Sequence, residues 1–372
     1  MGYAAARGGT EAILAAERLI RRRREGGASG ALRTEQVTER LSLAVDRVMG
    51  EAGLWAPELA AIALRQAEGD LMEAAHLLRA YRSTRARLAR PVTVDADELT
   101  VLRRIVPAYR IPPGPQLLGR SLDYVGRLLE VRGAVARSAG TGQRVEGDGG
   151  GRSAGLGETD RSQATDRRPG RLLHLLREQG LAVDRRRDDD PEPYDIARQP
   201  VRPGVPRSAR LSVMARAETG ALVNLWYRNV LGPDGHIHEI TLGEVRHGYL
   251  PVRVEHPLTG EAVRIGRIRA TEVEAIEDLD GPGERRDLFD VGYGLCTGHN
   301  ERKAIAMANL DIAVERDGGQ SPLEQSVLMT TDGLESSGFL EHLKLPHYVT
   351  FRSMVERKLA VRAAEPTPAP SR

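Results

Sequence analysis

The stretch TEQVTERLSLAVDRVM, residues 34–49, decides how the first third of the chain folds. Thr34 is a capping residue, and Val37, Leu41, Val45, Val48 and Met49 recur at a spacing that lines one face of an amphipathic helix. The same reading extends outward. Pro57 suits the first turn of a second helix carrying Leu59, Ile62 and Leu64. Asp70 with Glu73 is a capping-box-like start for a third, in which Leu71, Leu78 and Tyr81 face inward while Arg79, Arg82 and Arg85 face out. An all-helical N-terminal domain over 1–133 is expected.

The run PAYRIPPGP at 107–115 interrupts this pattern, because its prolines remove backbone donors and fix the chain direction. Helical spacing resumes near Ser121. Residues 134–170 are rich in Gly, Ser, Thr, Arg and Asp and read as a mobile insertion. A short helix over 172–176 follows, and 184–206, with RRRDDDPEP and further prolines, reads as a linker or surface arm. Beyond Leu211 the segments 221–230, 249–255 and 262–268 are Val-rich or alternating and predict strands. Residues 300–314 predict a helix with Ile305, Ala308 and Ile312 on one face, and a last helix starts near Val349. The fold class is therefore α+β, a helical N-terminal domain followed by a mixed domain over 171–360 with a β-sheet and C-terminal helices. Residues 361–372 read as a Pro-rich disordered tail. There is no internal repeat, which argues against a solenoid.

Composition narrows the function. Hydrophobic residues at 40% and charged residues at 28% give a globular balance, and a net charge of +2 supplies no field for nucleic acid. Aromatics at 4% leave few rings for stacking on sugars or single strands. The basic residues are nearly all Arg, which suits phosphate but also follows from compositional bias. The single cysteine, Cys296, forms no intrachain disulfide, no apolar run has the length of a spanning helix, and Arg and Glu interrupt the N-terminal 24 residues. A reducing cytoplasm fits these features, with no membrane partner.

Three constellations carry chemistry. GYGLCTGHNERK, 292–303, sets Gly292, Gly294 and Gly298 before a helix whose first turn holds Glu301, Arg302 and Lys303. Free backbone amides and two cations there suit a phosphate, although the spacing matches no standard nucleotide loop and the glycines also serve simply to turn the chain. His342 and His347, separated by a proline, suit one transition metal that needs further ligands from elsewhere; packing histidines are the plainer reading. His236, His238, His247 and His256 lie around the strands, where a loop at Pro233 and Gly235 argues against a metal. Asp46 beside Arg47 reads as a structural ion pair or as an acid-base carboxylate.

Seven segments, in order, resemble the PhnI family of the bacterial carbon-phosphorus lyase core complex: YAAARGGTEAI, LSLAVDRVMGEAG, AIALRQAEGD, LLRAYRSTRARL, QLLGRSLDY, GYGLCTGHNERKAIAMANLD and GFLEHLKLPHYVTF. The resemblance covers nearly the whole chain. It implies a subunit that works with PhnG, PhnH, PhnJ and PhnL, in two copies within a symmetric core. It also implies displacement of the purine of ATP or GTP by an alkylphosphonate, giving a ribose 1-phosphonate 5-triphosphate, with purine nucleosidase activity for the lone chain. Arg302 and Lys303, with Gly294 and Gly298, are then expected to hold the polyphosphate or the phosphonate, and Glu301 or Asp46 to act as acid or base. His342 and His347 are expected to share a zinc with PhnJ. Val291 stands where a family relative has Arg, which weakens any need for a cation there. The competing expectation is a scaffold subunit whose catalytic groups lie in partner chains.

Overall fold

The structure, a computed structural model, describes residues 9–26, 30–123, 127–129, 170–185, 189, 191–231, 240–278, 287–329, 332–344 and 348–364. Most of the expected insertion at 134–170 lies outside the described residues, as do His236, His238, His347 and the chain beyond 364.

The N-terminal region is helical as expected, with α1 (Gly9–Glu25), α2 (Thr34–Arg40), α3 (Ser42–Ala52), α4 (Pro57–Gln66) and α5 (Leu71–Ser83); the single helix expected over 34–49 divides at Leu41 into α2 and α3, and α1 lies ahead of the helices that the apolar spacing marked. The Asp70 carboxylate caps α5 by accepting the Glu73 N–H at 3.0 Å, and Pro57 occupies the first turn of α4. Val37, Val45, Val48, Met49, Leu64 and Leu78 make a separate small core, with alanines letting the helices approach closely. Leu41, expected on the inner face, instead sits half-exposed at the junction between α2 and α3.

The remainder is built on one antiparallel sheet in chain order, β1 (Thr100–Ile105), β2 (Ile240–Glu255), β3 (Ala262–Asp278) and β4 (Phe289–Thr297); β1 falls within 1–133, so that stretch is not all-helical as expected but gives its later part to the sheet through pairing with β2. Around it lie α6 (Leu172–Glu178), α7 (Arg207–Arg216), α8 (Thr219–Leu231), α9 (Glu301–Asp317), α10 (Pro322–Met329), α11 (Gly333–Leu343) and α12 (Tyr348–Ala364). The segment 221–230, expected as a strand, is helix α8. Its Leu222, Leu225 and Trp226 pack on the core around Met307, so helical period rather than alternation was present in that run. The expected strands 249–255 and 262–268 are the outer half of a long hairpin whose inner half runs to Ile240 and Asp278.

Register gives the sheet two unlike faces. Arg103, His247, Thr271 and Cys296 are cross-strand neighbours in one row, and Arg104, Arg246, Glu272 and Leu295 in the next. Because side chains alternate, the first row turns toward α9 and the second away from it. The α9 face is tightly packed. A Cβ on Gly292 would stand 1.9 Å from the Ala308 carbonyl oxygen, and one on Gly294 would stand 2.1 Å from that of Ala304. The opposite face is a buried layer of charge, in which Arg104 holds Glu244, Arg246 holds Glu272, and Arg171 holds Glu272 and Glu274. A cavity of about 420 Å³ opens onto this layer between the Asp97–Val101 segment and the start of α6.

The helical region docks through α3. Arg79 donates to the Glu51 carbonyl and to the Asp332 carboxylate at 2.7 Å, while the Glu51 carboxylate accepts both the N–H and the hydroxyl of Thr219. Arg47 joins Glu51 to Glu218. This docking brings α3 against the turn that links β4 to α9.

Candidate functional site

That turn is one of the points at which both halves of the molecule meet. Gly298 has φ +86°, a left-handed conformation that a side chain disfavours, and any Cβ there would lie 2.9 Å from Asp46 Cβ. Its N–H donates to the Arg269 carbonyl, and Asn300 then caps α9 by accepting the Lys303 N–H at 3.2 Å. The chain thus leaves β4, passes over α3 and enters α9 with His299 and Glu301 on the outside.

Asp46 is 1% exposed. Its Oδ1 accepts from Arg269 at 2.6 Å and its Oδ2 accepts the His299 N–H at 2.9 Å, so both oxygens are committed to holding the turn. Burial pushes its carboxyl up, against the pull of Arg269 and of the His299 amide. Arg269 in turn lies over the Trp55 ring, 5.5 Å from its centroid. The pairing expected for Asp46 with Arg47 is not made. Arg47 pairs with Glu51 and Glu218 instead.

Glu301 opens α9 half-buried, accepting from Arg103 Nε and standing 3.6 Å from His299 Nε2. Burial works to raise its carboxyl, but His299 and Arg103 outweigh it and hold it below the ordinary range, so it is ionised. Arg103 also donates to Asp123 and to the Leu118 carbonyl. His299 stacks on His247, with ring centroids 4.1 Å apart and planes 14° apart. Burial pushes His247 down to about 4, with the His299 charge adding to the effect, which keeps the inner ring neutral at physiological pH.

The sequence picked out several of these residues but not their arrangement. Asp46, Gly298 and Glu301 are brought together. Gly294 is not part of a phosphate turn, because it lies within β4 and meets the α9 backbone. Arg302 is exposed on the first turn of α9 and open to an anion. Lys303 is 1% exposed, and its Nζ has no hydrogen-bond partner among the described residues; burial lowers its pKa. Its ammonium points into the core and away from any surface phosphate. His342 sits in the last turn of α11, and among the described residues no group of three His, Cys, Asp or Glu could hold a metal. His256 accepts the N–H groups of Leu258 and Thr259 in its own exposed turn. Sequence reasoning gave no role to Arg103, Arg269, Thr271 or His299. The signal it had was His299 itself, lying between the capping Asn300 and the left-handed Gly298.

The arrangement offers an ionised carboxylate, an accessible imidazole and guanidinium groups at one turn, a set suited to anionic substrates and proton transfer. Comparison with known proteins gives it a context. The family model for PhnI, described as a bacterial phosphonate metabolism protein, matches residues 2–365. The HtxH protein of Stutzerimonas stutzeri is 40% identical over 365 residues, covering 96% of this chain and 95% of that protein. The PhnI subunit of alpha-D-ribose 1-methylphosphonate 5-triphosphate synthase from Escherichia coli K12 is 39% identical over 362 residues, covering 95% of this chain and 96% of its own length. Its counterpart from Rhizobium meliloti 1021 is 36% identical over 366 residues, with 95% and 93% covered. With nearly its full length matched, this chain belongs to the PhnI family of bacterial phosphonate metabolism proteins.

Proposed function

We propose that the chain is a scaffold subunit of an alpha-D-ribose 1-methylphosphonate 5-triphosphate synthase, and that it lends the Asp46–His299–Glu301 turn to a site closed by partner chains. The observation that carries this reading is the apolar surface left uncovered. In α12, Val349, Phe351 and Leu359 are at least 58% exposed, and in α1 Ile13 and Leu19 are similarly bare. The tip of the β2–β3 hairpin holds Leu258 at 90% exposed. Helices that bury none of their apolar side chains are marginal by themselves, so such elements call for partners.

The reaction we assign to the assembly is displacement of the purine of ATP or GTP by an alkylphosphonate. The support in this chain is a turn with an ionised Glu301, an exposed Arg302 for the triphosphate, and His299 beside them. Partner chains of the PhnG, PhnH, PhnJ and PhnL kinds, a second copy of this chain and a cytoplasmic setting complete the proposal. A zinc shared with PhnJ through His342 and His347 belongs to the assembled state. The described residues do not make a metal centre alone, and no step here depends on one.

The test is free purine released from ATP or GTP, measured for the purified chain and for the reconstituted assembly with alkylphosphonate. Release and phosphonate-dependent ribosyl transfer by the assembly, with little from the lone chain, is expected. Full release by the lone chain would show a complete active site within it and overturn the scaffold reading.

A further inference from the structure

We propose that His299 is the proton donor to the departing purine, a catalytic residue aimed by its stack on His247. The inference deepens the ribosyl-transfer reading and rests on it.

The hydrogen-bond arithmetic beneath the turn fixes the inner ring. The Thr271 hydroxyl has one proton, which it donates to the Gly298 carbonyl at 2.7 Å, and it accepts the Asn300 N–H at 3.1 Å. Toward His247 Nδ1, 3.2 Å away, that oxygen can therefore only accept, so Nδ1 carries the hydrogen. His247 and Thr271 are both buried, and the ring they hold is the platform for His299.

The charges around His299 leave room for one more cation. Asp46 from α3 is met by Arg269 from β3, while Glu301 from α9 and Asp123 share Arg103 from β1. Three carboxylates thus face two guanidinium groups beside the His299 ring. His247, from β2, is held uncharged and adds no repulsion. The side chain of His299 is 19% exposed, with its Nε2 3.6 Å from Glu301, so the ring is not sealed from solvent. Asp46 has no free oxygen, and Glu301 is ionised, which leaves the imidazole as the acid.

In the step, the bond between C1′ and N9 breaks and its electron pair stays on the base. His299 gives its proton to N7, and an alkylphosphonate oxygen, or that of water, bonds to C1′. Water's surplus proton leaves to solvent, from which His299 is reprotonated. Leaving-group protonation of this kind typically contributes about 100-fold or more.

A base that already carries its positive charge needs no such acid, and this supplies the test. The assembled complex is given GTP or N7-methylated GTP, and free base is measured across pH. With wild type, the GTP rate should fall on the alkaline side while the methylated nucleotide shows no such limb. His299→Gln, which keeps the backbone N–H on Asp46, should lose about 100-fold on GTP and under about 5-fold on the methylated nucleotide. Equal losses on both, in a complex that still binds GTP, or wild-type pH profiles alike for both, would overturn the assignment. Failure of the wild-type complex to release base from either nucleotide would instead sink the ribosyl-transfer reading and this inference with it.

Discussion

The two faces of the sheet are held by different forces. On the α9 side, Thr271, Val273 and Ala275 alternate with no exposed surface, and Gly292 and Gly294 admit the helix backbone almost to contact. One residue over, Glu272 and Glu274 are equally buried, yet face Arg171, Arg246 and Tyr293. Shape complementarity fixes the first face, and paired charge the second. The contrast shows where each kind of constraint is useful: the rigid face carries the turn with His299 and Glu301, and the charged face seats α6.

The largest effect expected from this contrast is on the packed face. Gly292→Val should cost about 4 kcal/mol or more, measured by denaturant unfolding, because the new side chain has no space and meets backbone. Near-wild-type stability would show that shape is not what holds that face. Next comes Arg246→Met, which leaves the buried Glu272 short of one of its cations and should cost about 3 kcal/mol; adding Glu272→Gln, which removes the charge while keeping an acceptor for Arg171 and Tyr293, should recover part of it. If the pair of changes costs as much as the single one, the charged layer is not a matter of compensation.

A smaller effect attaches to Glu274, whose carboxyl burial pushes up to about 7 from an ordinary 4.5 despite Arg171. The native state then binds more protons than the unfolded chain between those values, so this group's contribution to stability falls as pH rises through that window. Glu274→Gln should flatten the fall and gain on the order of 1 kcal/mol above neutrality, by the same linkage. A variant whose pH profile matches wild type would contradict this. Smallest is removal of α12. With its described side chains exposed, truncation after Lys344 should change the stability of the lone chain by less than about 0.5 kcal/mol, judged from melts of both forms.

The same contrast explains what could be read without a structure. The N-terminal helices and α9 were legible because their apolar residues recur at helical spacing and their caps are explicit, as with Asp70 and Asn300. Strand β1, with Arg103 and Arg104 adjacent, and the inner half of β2, with Glu244, Arg246 and His247, were not. Their buried positions hold charges whose partners lie on other strands, so no local pattern marks them as core. In β4 the glycines suggested a turn, because nothing in the local sequence reveals a helix pressed against them. The candidate site divides likewise. Glu301 and Gly298 follow from the helix start, but the row Arg103, His247, Thr271 exists only through register.

The glycine contact between β4 and α9 also governs movement. At Gly292 and Gly294 the α9 backbone, with Ile312 and Met307 beside it, closes directly on the strand, so a slide or tilt of one element on the other meets backbone there, and the turn joining them inherits that stiffness. His299 and Glu301 therefore stand like fittings on an anvil. On the proposed reading, any opening and shutting falls to the partner chains.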